Sequence, residues 1–201
     1  MVDLLLATSN PGKIREMRAL LRDLNLVLVT PRELGLDLKV TEDGKTYAQN
    51  AAKKAVHFAR AAGLLTLADD SGLEVDALDG LPGLRSARFA PWPNATDADR
   101  RAYLLAELGD KPRPWTAQFR CVVAIALPEG QIQYAEGMCL GEIIPEERGE
   151  EGFGYDPIFL LPSLGMTMAE LNMTQKNRLS HRARAIHEAR PILVKMLASQ
   201  C

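Results

Sequence analysis

Two carboxylates, Asp69 and Asp70, stand side by side directly behind the apolar run Leu64-Leu65-Thr66-Leu67-Ala68. Adjacent carboxylates at a strand end repel each other, and where either is partly buried a cation is the simplest compensation. Oxygen ligands alone suit Mg²⁺ or Mn²⁺, and no His/Cys cluster is available for zinc. Glu42 and Asp43, ahead of a long alanine-rich segment, are candidate supplementary ligands. A plainer reading stands beside this one: Asp69, Asp70 and Ser71 close a turn and Gly72 takes a positive φ.

In LLLATSNPGK, residues 4–13, a strand runs into a Ser/Asn/Gly loop and a helix opens with a lysine in its first turn. Backbone N–H groups, the helix dipole and the Lys13 charge would converge on one point, which suits a phosphate. A Walker A loop is excluded, because Gly12-Lys13 is followed by Ile14 and no glycine lies five positions upstream of Gly12. An ordinary capped helix with a solvated lysine remains the alternative. GFGYD, residues 152–156, joins two glycines, two aromatic rings and a carboxylate. Its backbone can approach a ligand closely and Phe153 or Tyr155 can stack on a planar base, or the rings can face the core. NRLSHRARA places His181 beside Arg182, with Lys176 five residues before His181. These are donors able to read a purine O6, or else a basic solvated face.

The elements that must hold these groups follow from periodicity. Val2 to Ala7 reads as a strand, and Ile14, Met17, Leu20, Leu21 and Leu24 form one face of a helix capped by Asn10 with Pro11 at its first position. Leu26 to Val29 reads as a strand, and the alanine-rich segment as a long helix stopped by Gly63. A strand is expected around Ala68 and a separate one at Leu73 to Val75, followed by the Pro/Gly-rich loop DGLPGLRSARFAPWPNAT. A helix fits Asp97 to Leu108 with Gly109 as its stop, and two long strands joined at Pro128-Glu129-Gly130 come next. Thr167 to Glu170 matches a capping box, and the segment from Ser180 is helical in pattern with Pro191 expected to kink or interrupt it. Strand-helix units around a central meander predict an α/β fold on one mixed sheet, in a single domain spanning residues 1–201.

Composition narrows the partners. A hydrophobic fraction of 47% with 25% charged residues describes a folded chain, and a net charge of -2 offers no broad attraction to nucleic acid or to an anionic membrane. Cys121, Cys139 and Cys201 form no CxxC pair, so neither a disulfide framework nor a zinc site is indicated. No apolar stretch approaches the roughly 20 residues that span a bilayer. The N-terminus lacks the pattern of a signal peptide, and a reducing cytoplasm is the expected setting.

Taken in order, LLLATSNPGK, TEDGKTYAQNAAKKA, LADDSGLEVDALDGLPGLRSARF, GFGYDPIF and LSHRARA closely resemble the inosine/xanthosine triphosphate pyrophosphatase family, from about Leu4 to Ala185. The resemblance implies an elongated mixed sheet flanked by helices, two lobes with a central active-site cleft, a homodimer and a requirement for Mg²⁺. It implies that Thr8, Ser9, Asn10, Pro11, Gly12 and Lys13 bind the triphosphate, with Lys53 or Lys54 adding charge. Glu42 and Asp70 would hold the metal, Asp70 would accept a proton from the attacking water, and Ser71 would contact substrate. Phe153, Gly154, Tyr155, Asp156, Lys176, His181 and Arg182 would surround the nucleoside, with Phe153 stacking on the base. Within this reading Asp69 supports Asp70, and Ser71-Gly72 form a turn that keeps substrate close. The chain departs from the family at Ser9, where members often have glycine, and at Pro191. A pyrophosphatase of pyrimidine or modified-base preference and a non-catalytic nucleotide sensor are the rival readings.

Overall fold

The computed structural model describes residues 2–198; Cys201 lies outside them. The strands are β1 (Val2–Leu6), β2 (Leu26–Val29), β3 (Thr66–Val75), β4 (Trp115–Ala126), β5 (Ile132–Ile143), β6 (Phe159–Leu161) and β7 (Met166–Thr167). The helices are α1 (Pro11–Leu21), α2 (Tyr47–Ala62), α3 (Asp97–Leu108), α4 (Met173–Leu179) and α5 (His181–Ala198). The strands form one mixed sheet in the order β2-β1-β3-β4-β5-β6-β7, with β1 parallel to β2 and β3, and β6 antiparallel to β5 and β7. The chain divides into two compact units: residues 2–70, 121–137 and 182–198 in the first, and 71–120 and 138–181 in the second.

In the first unit, period-two alternation sends neighbouring side chains of one strand to different helices. Leu4 and Leu6 of β1, with Leu65 and Leu67, pack with Met17 and Leu21 of α1 and Ile186 and Leu193 of α5. Leu5, Ala7 and Ala68 pack instead with Ala51, Ala55 and Ala59 of α2. Helix α2 starts at its Thr46 cap, whose side chain accepts from the Gln49 N–H, and ends at Gly63, where φ is 66°. Helix α1 begins at its Asn10 cap with Pro11 in the first turn.

In the second unit Leu73, Val75, Leu104, Leu108, Trp115, Phe119, Tyr155 and Phe159 share one core. Thr96 and Asp99 form a capping box at the start of α3. The capping box at Thr167 to Glu170 opens a single 3-10 turn.

Three expectations are corrected. Asp69, Asp70, Ser71 and Gly72 do not close a turn, and Leu73 to Val75 is not a separate strand, because β3 runs unbroken from Thr66 to Val75. Gly72 is not among the glycines at positive φ. The local turn chemistry of Asp-Ser-Gly is overridden by the strand's place in the middle of the sheet, where pairing satisfies the backbone. Pro191 does not interrupt α5, which is continuous to Ala198 with Ala189 and Leu193 buried on either side of it. Tertiary packing outweighs the lost N–H there.

Candidate active site

Because β3 is continuous, Asp69 follows Leu65 and Leu67 onto the α1/α5 face, whereas Asp70 follows Ala68 onto the α2 face. On the first face Lys13 Nζ lies 3.0 Å from Asp69 Oδ2. Arg182 donates to the same oxygen from Nε at 3.2 Å and from Nη2 at 3.1 Å, and its Nη1 pairs with Glu16 at 2.5 Å. Glu16, Asp69 and Arg182 are all buried. Burial works to raise the Asp69 carboxyl, but the Lys13 and Arg182 charges outweigh it and hold the group well below the usual carboxylate range. Cys121 Sγ is 3.8 Å from Asp69, and burial together with that negative neighbour pushes its thiol up to about 12.

On the second face Asn50 Nδ2 donates to Asp70 Oδ2 at 3.0 Å, and Lys54 Nζ lies 3.3 Å from Glu42 and 3.8 Å from Asp70. The Asn50 amide also accepts from the Gly44 N–H at 2.8 Å, which ties the loop carrying Glu42 to the helix beneath Asp70. A Cβ at residue 44 would meet Asn50 Oδ1 at 2.6 Å, so only glycine permits this approach. Burial raises the Asp70 pKa, the Glu42 charge adds to that, and Lys54 and Asn50 only partly oppose it. Lys53 and Asp43 pair with each other on the exposed side, so of the two lysines it is Lys54 that reaches Asp70.

At the head of α1 the Asn10 side chain accepts from the Lys13 N–H at 3.1 Å, and Thr8 Oγ1 accepts from the Asn10 N–H at 3.2 Å. Thr8, Ser9 and Pro11 line a pocket of about 540 Å³. Lys13 is therefore not a solvated lysine, since its ammonium is anchored to Asp69 at the base of the phosphate-loop candidate.

The second unit holds the predicted nucleoside group except Arg182, which belongs to the first unit with Asp69 and Glu16. The Phe153 N–H donates to Asp156 Oδ2 at 2.8 Å, and Lys176 Nζ donates to the same oxygen at 2.6 Å. The Lys176 ammonium lies 5.2 Å from the Phe153 ring centroid. Gly152, at φ 81°, would carry a Cβ 2.1 Å from Asp156 Oδ2, so a side chain there would break this cluster. Tyr155 donates its hydroxyl to the Ser86 carbonyl at 2.9 Å and is buried, while Phe153 is half-buried. His181 stacks on Phe119 with ring centroids 4.7 Å apart. Ser71 is half-buried on β3.

Sequence reading missed Glu16, Asn50 and Phe119. A signal existed for Glu16, which sits three residues after Lys13 on the apolar face of α1. The partner of Phe119 is set by tertiary packing across 62 residues of chain and left no local mark.

Residues 4–192 match the Ham1 family. A dITP/XTP pyrophosphatase of Desulforamulus reducens is 49% identical over 98% of this chain and 98% of its own, and one of Nostoc is 48% identical over 98% and 96%. A solved HAM1 protein from Coxiella burnetii superposes with a TM-score of 0.87 at 40% identity, covering 97% of this chain and 100% of that one. The Staphylococcus aureus Ham1 protein gives 0.82 at 38%, covering 99% and 100%. A mixed sheet with these carboxylates and this phosphate-loop candidate, matched over nearly the whole length, places the chain in the Ham1 family.

Proposed function

We propose that this protein is a nucleoside triphosphate pyrophosphohydrolase that converts the deaminated purine triphosphates ITP, dITP and XTP to the monophosphate and pyrophosphate. It would thereby clear them before incorporation into DNA or RNA. The observation that carries the reading is Asp70, a buried carboxylate held by Asn50 and set against Lys54 and Glu42, on a strand that also anchors Lys13. The names of the similar proteins point the same way. The family match runs through both units, which favours reading the chain as one pyrophosphatase domain.

Glu42 and Asp70 fit a divalent cation. They are oxygen donors converging on the single ammonium of Lys54, and burial of Asp70 leaves a carboxylate that a cation would stabilise. Mg²⁺ commonly takes one or two carboxylates and completes its shell with phosphate oxygens and water. Bound there, Mg²⁺, or Mn²⁺ in its place, would neutralise charge on the polyphosphate.

The chain's own residues do the rest. Thr8 to Lys13 bind the triphosphate, and Lys13 and Lys54 supply fixed positive charge as the pyrophosphate leaves. Asp70 orients a water and accepts its proton as the new bond to the α-phosphorus forms and the α-β bridge breaks. Ser71 contacts the substrate. Phe153 stacks on the base, Gly154, Tyr155 and Asp156 shape its surroundings, and Lys176, His181 and Arg182 are the donors proposed for O6. Adenine turns an amino group toward those donors, and an unpaired buried polar group costs about 1–3 kcal/mol, or roughly 5- to 150-fold. The homodimer and the cytoplasmic setting belong to the same proposal, as does the absence of a nucleic-acid or membrane partner; no helix among the described residues is long and apolar enough to cross a membrane.

Pyrophosphate release measured across inosine, xanthosine, adenosine, guanosine and pyrimidine triphosphates tests the assignment. Preference for inosine and xanthosine triphosphates, abolished by EDTA, is expected. A pyrimidine preference would select the first rival, and binding without release would select the sensor.

A further inference from the structure

Helix α3 carries two side chains that the chemistry above does not use. Asp97 is its first residue and Arg101 lies four positions on, so both leave the same helix face. Asp97 Oδ2 accepts the Gly154 N–H at 2.7 Å, and Arg101 Nη1 donates to the Gly154 carbonyl at 2.9 Å. One residue of the GFGYD loop is thus gripped through both of its backbone polar groups by ionised side chains.

The grip is itself anchored. Arg101 donates from Nε and Nη2 to the two oxygens of Glu147 at 2.8 and 2.7 Å, so its planar guanidinium is fixed in a fork and its remaining arm points along a set direction. Asp97 is steadied through its other oxygen by Arg100, whose Nη1 also donates to the Ala95 carbonyl at 2.6 Å. The gripped residue is where the loop most needs support. Gly154 sits at φ 63°, a conformation that glycine adopts at no steric cost but also leaves readily. It is bonded directly to Phe153, whose ring lies beside the Lys176 ammonium.

We infer that Asp97 and Arg101 are positioning residues for base recognition, clamping the Gly154 backbone so that the Phe153 ring is ordered before the nucleotide arrives. The inference rests on the proposed stacking role of Phe153. Both clamp bonds go to backbone, so their effect on the base passes through the ring of Phe153. Ordering the loop in advance removes a cost otherwise met at binding, which places the effect in KM and base selectivity more than in kcat.

The test compares wild type with Arg101→Ala, Asp97→Ala and Asp97→Asn, the last keeping an acceptor for the Gly154 N–H. Amide hydrogen exchange at residues 153–155 is read without nucleotide, and KM and kcat with inosine and adenosine triphosphates. Both alanine variants are expected to speed exchange and to raise KM for inosine triphosphate about tenfold with kcat within about threefold, the size of one lost charge-assisted hydrogen bond. The preference over adenosine triphosphate narrows, and Asp97→Asn stays near wild type. Faster exchange with unchanged KM, a fall in kcat at constant KM, or an Asp97→Asn as impaired as Asp97→Ala would overturn the inference. Should Arg101→Ala fail to fold, Glu147→Gln, which loosens the anchor, is expected to shift KM in the same direction by less, and a wild-type KM there would count as refutation. Absence of pyrophosphate release by the wild type would refute the functional reading alone, since the exchange arm reads the clamp without substrate.

Discussion

Asp69 and Asp70 are neighbours on one strand, and the charges that reach them come from different helices. Asp69 faces α1 and α5, where the carboxylates of Asp69 and Glu16 meet the cations of Lys13 and Arg182. Asp70 faces α2, where it and Glu42 converge on Lys54. The pKa shifts follow: attraction outweighs burial at Asp69, and burial outweighs attraction at Asp70. A balanced cluster anchors Lys13 at the base of the phosphate-loop candidate, whereas an under-compensated carboxylate suits a cation and a proton. The strand's alternation separates a charge-balanced carboxylate from the one proposed for the chemistry within two residues.

The sharpest way to break this comparison is to neutralise each side in turn. Asp70→Asn is expected to lower kcat by about 10²- to 10⁴-fold with the fold retained, and near-normal turnover in a folded variant would remove Asp70 from the chemistry. Arg182→Ala is expected to act first on stability, costing about 3–5 kcal/mol in denaturant unfolding because it removes the guanidinium that the buried Asp69 and Glu16 share. An unchanged midpoint would mean that the balanced cluster contributes nothing to the fold. This also makes Arg182→Ala a poor reporter of base selectivity, for which His181 is the cleaner position.

The two carboxylates should also respond oppositely to acid. The lowered Asp69 pKa contributes stability that is present above the ordinary value of 3.8 and lost as pH falls through the folded value. The raised Asp70 pKa makes its ionisation oppose folding, so Asp70→Asn should be more stable than the wild type at neutral pH, a gain that vanishes once both states are protonated below 3.8. Urea unfolding of Asp69→Asn and Asp70→Asn at neutral and acid pH checks the signs; shifts of the same sign would contradict the comparison. The smallest effect concerns Cys121, whose thiol, pushed up to about 12, should resist alkylation in the native protein and react only on unfolding. Rapid native labelling would mean that the Asp69 cluster is more open than described.

Much of this was legible in the sequence wherever the cause is local. The Asn10 cap, the stop at Gly63, the limits of α3 and the turn between β4 and β5 rest on neighbouring residues and fall where capping and turn chemistry place them. Strand alternation separates Asp69 from Asp70. The same local logic misread Ser71-Gly72, because the pairing that keeps β3 extended comes from strands distant in the chain. The grip of Asp97 and Arg101 on Gly154 joins residues more than 50 positions apart, and no spacing rule announces it. Helix α4 was also missed: it is a seven-residue element whose Asn172 cap lies in an otherwise polar stretch.

The central claim is that a water directed by Asp70 attacks the α-phosphorus. Hydrolysis of inosine triphosphate in ¹⁸O-labelled water, followed by mass analysis of both products, tests it directly. Label is expected in the monophosphate and none in the pyrophosphate; label in the pyrophosphate, or release of inorganic phosphate and a diphosphate, would place the attack at another phosphorus.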